Sequence, residues 1–253
     1  MPYVDRDGVK IYYEEAGSGP AILLGHAYSS SARMWEGFVE AFRGSYRVIT
    51  YDLRGHDRSD SPEDAAAYRE DATVGDIEAI MAACGVEKAV LGGLSLGGYM
   101  ASAYYMKHPE DVLALMLFST GPGFRNPQAR ANWNEMAEGI AKGFDEKGLE
   151  ALGRGAEVRA SQQRSAAGLA KAARGMLAQF DARVIESLET VQVPTLVMMG
   201  SRDQAYAAST DYMAGKLPKA TKVVIDDAGH AANIHQPNTF NKAVRDFLKS
   251  AGV

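Results

Sequence analysis

A serine between glycines is the first residue in this sequence whose surroundings suggest chemistry. The stretch Gly93-Leu-Ser-Leu-Gly97 follows an apolar run at 89–91 and precedes a helical pattern at 99–106 whose small residues face the strand. A strand, a sharp turn and a helix in this order hold a serine at the tip of the turn with a positive φ, and the glycines avoid a Cβ clash with the adjoining strand and helix. The pentapeptide alone is equally typical of a plain glycine-rich turn, but its context predicts a nucleophile, Ser95.

A serine hydroxyl is a poor nucleophile at neutral pH, so Ser95 needs a nearby base, for which histidine is the natural choice. The chain has five histidines. We predict that His230 is the base, because it follows a strand and a glycine on a loop at the carboxyl edge of the sheet. A solvated loop residue is the alternative. We interpret His56 as structural, His108 as a surface or capping residue, and His235 as a supporting or surface residue.

The base needs an orienting acceptor, and Asp203 is the candidate. It follows a buried strand at 195–199 in the sequence Gly200-Ser-Arg-Asp203. Its alternative role is the N-cap of the next helix, a common position for aspartate. The end of the preceding strand, Ser119-Thr-Gly-Pro122, offers no carboxylate.

Acyl transfer also needs hydrogen-bond donors for a developing oxyanion. The backbone N–H of Leu96 is one, because this residue opens a helix directly after the nucleophile. The second is expected from the loop Gly25-His-Ala-Tyr28, which follows an earlier strand. We predict that the backbone N–H of Tyr28 is this second donor.

The elements that position these residues are apolar strands alternating with amphipathic helices. This alternation predicts an α/β fold with a mostly parallel sheet of about eight strands, covered by helices on both faces, after an antiparallel hairpin turning at Asp7-Gly8. Ligand sites of such sheets lie beyond the carboxyl ends of the strands. The predicted strands are 3–5, 9–15, 21–24, 46–51, 89–91, 112–118, 195–199 and 222–225.

The alternation is interrupted by a helical segment. We predict a core formed by 1–122 and 190–253, with 123–189 inserted as a helical cap. An apolar helical insert at the carboxyl end of a strand is well placed to cover a pocket there, although it can also be additional scaffold. The apolar faces of its helices predict four pocket residues, which are Trp133, Met136, Met176 and Phe180.

Composition restricts the class of protein. The 253 residues, 46% hydrophobic and 23% charged, fit one globular unit. A net charge of −5 without a lysine or arginine run argues against nucleic-acid and membrane partners. No basic stretch followed by an apolar one begins the chain, so we expect a cytoplasmic protein. The single cysteine, Cys84, is expected to be buried in the core. The sequence leaves open whether the protein forms a homo-oligomer.

Taken together, the motifs resemble those of the α/β-hydrolase superfamily, and among its members the small enol-lactonases and esterases. The motifs, in the family's order, are Gly25-His-Ala-Tyr28, Asp52-Leu-Arg-Gly-His-Asp-Arg-Ser59, Gly93-Leu-Ser-Leu-Gly-Gly98, Gly200-Ser-Arg-Asp203 and Gly229-His-Ala-Ala-Asn-Ile-His-Gln-Pro237. The resemblance implies Ser95 as nucleophile, Asp203 as acid, His230 as base and a helical lid.

Three positions depart from the family's pattern. The loop that usually reads His-Gly here reads His26-Ala27. Asp57 replaces a glycine, which is tolerable because aspartate adopts a left-handed conformation more readily than most residues. His235 stands where relatives often have glutamate.

The leading hypothesis is a serine hydrolase that cleaves small carboxylic esters or lactones through an acyl-enzyme, without a cofactor or a metal. Carbon–carbon bond hydrolases and perhydrolases share the same triad and are alternatives, as is a ligand receptor of this fold with negligible turnover. Dehalogenases and epoxide hydrolases of this fold use an aspartate nucleophile, so Ser95 argues against both.

Overall fold

A single eight-stranded sheet organises the chain. The computed structural model describes residues 3–253, so Met1 and Pro2, with which the predicted core segment begins, lie outside the described part. In chain order the strands are β1 (Tyr3–Arg6), β2 (Val9–Ala16), β3 (Ala21–Gly25), β4 (Arg47–Tyr51), β5 (Ala89–Leu94), β6 (Val112–Phe118), β7 (Thr195–Gly200) and β8 (Ala220–Ile225).

The strands lie in the order β1-β2-β4-β3-β5-β6-β7-β8. β2 pairs antiparallel with both β1 and β4, and the remaining pairs are parallel. The hairpin between β1 and β2 turns at Asp7 (φ 54°) and Gly8 (φ 80°), as its Asp-Gly dipeptide predicts. The mostly parallel sheet with an antiparallel beginning is therefore confirmed.

Helices cover both faces of this sheet. They are α1 (Glu36–Phe42), α2 (Glu70–Ala83), α3 (Leu96–Lys107), α4 (Pro127–Lys147), α5 (Ala156–Arg159), α6 (Ala166–Ala172), α7 (Arg183–Ser187), α8 (Gln204–Lys216), α9 (Ala232–His235) and α10 (Pro237–Ala251). Phe38 of α1 and Phe240 of α10 pack in one layer of core, while Ile80 of α2, Met100 of α3 and Met213 of α8 pack in the other. None of the helices within 3–253 combines the length and the apolar character that crossing a bilayer requires.

Shorter turns complete the secondary structure. A π turn spans Ala173–Leu177, directly after α6. Single 3₁₀ turns lie at Ala32–Trp35, Ala65–Tyr68, Pro109–Asp111, Gly148–Ala151 and Leu188–Thr190. The buried position predicted for Cys84 at the end of α2 is confirmed, and burial raises the pKa of its thiol to about 11.

The chain between β6 and β7 is helical, as its sequence pattern predicts. α4 begins at an N-cap, Asn126, whose side chain accepts hydrogen bonds from the N–H groups of Gln128 (2.8 Å) and Ala129 (3.3 Å). α4, α6 and the π turn share a small apolar cluster of their own, formed by Ala141, Phe144, Leu169, Ala170 and Ala173. This separate cluster supports our proposal that 123–189 form a cap.

Asp57 connects the core to this helical segment. Its φ of 39° confirms the left-handed conformation predicted from its place in the turn after β4. Its carboxylate accepts a hydrogen bond from the Gln162 N–H (2.9 Å), and its own N–H donates to Gln163 Oε1 (2.9 Å). The carboxylate of Asp57 thus provides a contact with Gln162 that a glycine at this position could not make.

Candidate active site

The carboxyl ends of the parallel strands surround one cavity of about 520 Å³. Tyr28 follows β3, Ser95 and Leu96 follow β5, and His230 follows β8, and all four line this cavity. Asp203 follows β7 and lies against His230. The sheet therefore brings together the residues that the sequence predicted for the triad and the oxyanion site.

Ser95 occupies a sharp turn between β5 and α3. Its φ of 53° and ψ of −112° confirm the predicted positive-φ conformation. The Ser95 N–H donates to the Phe118 carbonyl (2.9 Å), and the Thr120 hydroxyl donates to the Ser95 carbonyl (2.7 Å). A Cβ at Gly97 would collide with the backbone of Gly25. The glycine is therefore required by the close approach of α3 to β3, and the turn is fixed from several sides.

His230 and Asp203 form a hydrogen-bonded pair. The distance between His230 Nδ1 and Asp203 Oδ2 is 2.8 Å. Asp203 also precedes α8, but its side chain caps no N–H of that helix, so its carboxylate serves the histidine instead of the helix end. Because this carboxylate accepts only from a protonated Nδ1, the pairing selects the tautomer of the neutral ring in which the lone pair is on Nε2.

The hydroxyl of Ser95 contacts a tyrosine. Ser95 Oγ lies 3.3 Å from the Tyr206 hydroxyl, whereas within residues 3–253 no hydrogen bond joins it to His230. The Tyr206 and His230 rings lie 5.0 Å apart, tilted by 30°. Burial, opposed by the hydrogen bond to Ser95 and assisted by the nearby Asp203 carboxylate, raises the pKa of Tyr206. The phenol is therefore neutral beside the serine at neutral pH.

Two residues that line the cavity with Ser95, Tyr28 and Leu96, have backbone N–H groups without a partner in the described chain. Neither the N–H of Tyr28 nor that of Leu96 donates to an acceptor in the described chain. Ala27 is absent from the left-handed residues found in 3–253. Its methyl group is accommodated without backbone strain, because only a positive φ would demand glycine here.

His26 holds this loop in place. Its Nε2 accepts a hydrogen bond from the Leu53 N–H (2.9 Å), which leaves Nδ1 as the donor to the Ala27 carbonyl (2.7 Å). Burial lowers the pKa of His26 to about 4, so the ring is neutral under ordinary conditions. A neutral imidazole thus ties the loop after β3 to the loop after β4.

The other histidines have structural contacts. The interpretation of His56 as structural agrees with its burial, which lowers its pKa to about 3, and with its edge-on packing against Tyr28. His108 ends α3 and lies 2.7 Å from the Glu78 carboxylate. His235 accepts a hydrogen bond from the Gly229 N–H (3.1 Å). It therefore braces the loop that carries His230.

The cavity wall contains three of the four predicted pocket residues, Trp133, Met136 and Met176. The prediction was wrong for Phe180, which lies outside the lining and is 69% exposed. It assumed that helical periodicity continues through 180. The π turn instead ends at Leu177 and the backbone becomes extended at residue 178, so Phe180 leaves the face that Met176 shares.

Sequence reasoning missed several polar residues of the cavity, which are Thr120, Glu157, Gln179, Tyr206 and Ser209. Tyr206 lies three residues after Asp203. In a helix that begins at Asp203 the two residues share one face, so this spacing could have placed Tyr206 near His230. No local signal identifies Gln179. It reaches the cavity only through the irregular chain after the π turn.

Comparison with known proteins identifies the family. The family described as the α/β hydrolase fold matches residues 20–237. The chain belongs to this family. It is 29% identical to a Bacillus subtilis protein provisionally named 2-succinyl-6-hydroxy-2,4-cyclohexadiene-1-carboxylate synthase, over 96% of each chain. It is also 29% identical to 3-oxoadipate enol-lactonase 1 of Acinetobacter baylyi, over 92% of this chain and 90% of the relative.

A solved structure extends the likeness to the whole fold. A thermophilic esterase from Thermogutta terrifontis is similar with a TM-score of 0.84 and 26% identity, covering 100% of this chain and 98% of the esterase. The resemblance to the α/β-hydrolase superfamily that the motifs indicated is confirmed.

Proposed function

We propose that this member of the α/β hydrolase family is a serine hydrolase that cleaves small carboxylic esters or lactones through an acyl-enzyme. One observation carries the proposal. The hydrogen-bonded pair of His230 and Asp203 shares a site with Ser95, which stands on a strained turn in the cavity wall. A nucleophile, a base with a free lone pair and an orienting carboxylate are the parts that acyl transfer through serine requires.

In the first half-reaction, His230 Nε2 takes the proton of Ser95 Oγ as the oxygen attacks the substrate carbonyl carbon. The carbonyl oxygen gains the negative charge and accepts hydrogen bonds from the N–H groups of Tyr28 and Leu96. When the tetrahedral intermediate collapses, His230 passes its proton to the leaving alcohol oxygen. In a lactone this oxygen stays attached to the same acyl chain.

In the second half-reaction water replaces the alcohol. His230 Nε2 takes a proton from the water as its oxygen attacks the acyl carbon, and then returns the proton to Ser95 Oγ as the acid leaves. Asp203 accepts from the Nδ1–H of His230 throughout, which orients the ring and stabilises its charged form.

The Ser95 hydroxyl must exchange partners before this chemistry. It is paired with Tyr206 in the structure, and the proposed mechanism requires it to donate to His230 instead. Catalytic hydrogen bonds often reach their productive geometry only when substrate is bound. Tyr206 is accordingly proposed as a positioning residue for the nucleophile.

The proposed cap, 123–189, provides the apolar roof of the site. Trp133 and Met136 of α4 and Met176 of the π turn line the cavity opposite the sheet. The Trp133 indole N–H donates to the Leu177 carbonyl (2.7 Å), which joins the two parts of the roof. A roof of this kind excludes water and strengthens the electrostatic interactions beneath it.

The names of similar proteins support the reaction class. One relative is called an enol-lactonase and one solved structure an esterase. Both names describe the cleavage of an ester bond, the reaction that Ser95 and His230 are proposed to perform here. The proposed partner is a small-molecule ester or lactone substrate, and the mechanism requires no cofactor or metal.

The decisive experiment traps the acyl-enzyme. Mixing the protein with p-nitrophenyl butyrate should release a burst of p-nitrophenol equal to the enzyme concentration, followed by steady turnover, and rapid quenching should show a butyryl adduct on Ser95 by mass spectrometry. Ser95→Ala should lack the adduct and lose on the order of 10⁶ in kcat. Normal turnover by this variant would refute the assignment, and stoichiometric labelling without turnover would indicate a receptor.

A further inference from the structure

A polar side chain in the cavity wall lacks a partner. Gln179 is 8% exposed and lines the cavity, and its Oε1 has no hydrogen bond within the described chain. Its Nε2 donates to no acceptor among the same residues. A buried amide normally pairs both its oxygen and its nitrogen, since desolvating them unpaired is unfavourable. The unpaired Oε1 is therefore available to a group that binds in the cavity.

The position of Gln179 is fixed from both sides. Its backbone N–H donates to Asn134 Oδ1 (2.8 Å), and its carbonyl accepts from Asn134 Nδ2 (2.7 Å). Its side chain lies over Gly123, whose φ is 90°. A Cβ at Gly123 would come within 2.7 Å of Gln179 Oε1. The backbone of 179 is thus anchored to α4, and glycine leaves room for the amide.

The charge of the cavity wall restricts what can meet this amide. The cavity has no lysine or arginine among its described lining residues, and Glu157, 9% exposed, is its single carboxylate. A substrate carboxylate in this cavity would have no lysine or arginine to pair with, and it would lie in the same cavity as the Glu157 side chain. Burying such an unpaired charge is strongly unfavourable. The site therefore disfavours anionic substrates.

We infer that Gln179 is a specificity-determining residue, and that the natural substrate is an uncharged ester or lactone carrying a hydroxyl or carboxamide group that pairs with its amide. Both groups donate and accept hydrogen bonds, as the Gln179 amide does. The rest of the substrate is apolar and contacts the roof formed by Trp133 and Met136. This inference rests on the proposed function, because it assigns the substrate class of the same site.

The test compares matched acyl groups. Initial rates are measured with phenyl butyrate, phenyl 3-hydroxybutyrate, phenyl N-acetylglycinate and monophenyl succinate, and each kcat/KM is divided by the rate constant for hydroxide hydrolysis. We expect at least one of the two neutral polar esters to exceed phenyl butyrate by about tenfold, and monophenyl succinate to fall about 100-fold below it. Propyl and 2-hydroxyethyl butyrate extend the comparison to the alcohol half.

Gln179→Met keeps the size of the side chain and removes the amide. The variant should lose the preference for the polar ester, so that kcat/KM for this ester falls about tenfold. The kcat/KM for phenyl butyrate should change by less than about twofold. Gln128→Met, an exposed glutamine of α4, is the matched control and should leave every rate unchanged. If Gln179→Met fails to fold, Gln179→Glu keeps the shape and should lower the rate with monophenyl succinate further.

The outcomes separate the two proposals. Gln179 does not select the substrate if Gln179→Met changes the rates with all esters equally or changes none of them. The same conclusion follows if the wild-type protein prefers a polar group in neither the acyl half nor the alcohol half of the ester. If the wild-type protein leaves even phenyl butyrate intact, the proposed function itself fails. Rapid hydrolysis of monophenyl succinate would contradict the exclusion of anions.

Discussion

The hydroxyl of Ser95 lies 3.3 Å from that of Tyr206, so the proposed nucleophile is paired with a phenol and not with its proposed base. Tyr206 comes from the first turn of α8, which begins directly after Asp203. One short segment therefore supplies both the partner of His230 and the partner of Ser95. This arrangement couples the position of the serine hydroxyl to that of the base.

We predict that Tyr206→Phe lowers kcat about 2- to 10-fold and leaves KM nearly unchanged, since the variant loses one neutral hydrogen bond that orients Ser95 Oγ. Steady-state kinetics with p-nitrophenyl butyrate measure both parameters. An increase in kcat would show instead that the phenol holds the serine away from His230. A loss beyond about 10³ would place Tyr206 in the chemical step.

We predict that Asp203→Asn lowers kcat on the order of 10⁴ without unfolding the protein, because an amide at this position favours the wrong tautomer of His230. The matched control is Asp227→Asn. Asp227 is an exposed residue paired with Arg202 (2.7 Å), the residue directly before Asp203. Its activity should stay at the wild-type level. Equal losses in the two variants would argue for a general effect of charge.

We predict that Met136→Trp lowers kcat/KM for p-nitrophenyl octanoate relative to p-nitrophenyl butyrate by about tenfold or more. The larger side chain would occupy part of the cavity that a long acyl chain needs. Met136 is 43% exposed, so the substitution should leave stability largely intact. Phe180→Ala serves as the control, since that side chain lies outside the cavity lining. An unchanged chain-length preference in Met136→Trp would show that the helical segment is scaffold.

We predict that the protein loses stability in mild acid through His26 and His56. Burial lowers their pKa values to about 4 and about 3 from the ordinary 6.5. Below pH 6.5 the unfolded chain binds more protons than the folded one, so the stability present above this pH is lost as the pH falls toward the folded values. Each histidine should contribute about 2 kcal/mol of this loss between pH 7 and pH 5.

Urea unfolding at several pH values measures the acid effect. His56→Gln should reduce the loss of unfolding free energy between pH 7 and pH 5 by about 2 kcal/mol, because one of the two buried imidazoles is gone. An identical dependence in His56→Gln and the wild-type protein would exclude His56 as a source of acid lability.

The positions of the strands along the chain and the turn at Ser95 follow from local signals. Runs bounded by glycine and polar residues predicted each of the eight strands. The predicted bounds of β6 match the structure, and those of the other seven strands differ from it by one to three residues. The turn was predictable because the steric demand for glycine at Gly93 and Gly97 is visible in the sequence itself. Asp203 and His230 could be selected because each follows a strand whose carboxyl end must lie beside the others.

By itself, then, the sequence determined the strands of the sheet, the turn at Ser95 and the candidate triad, since these depend on the periodicity and backbone sterics of neighbouring residues. Only the tertiary structure decided that Ser95 is paired with Tyr206, that Gln179 is unpaired in the cavity and that Phe180 lies outside it. These three outcomes depend on how separate segments meet in space, and on the extended chain after Leu177. Helical periodicity carries no information beyond the residue at which a helix ends.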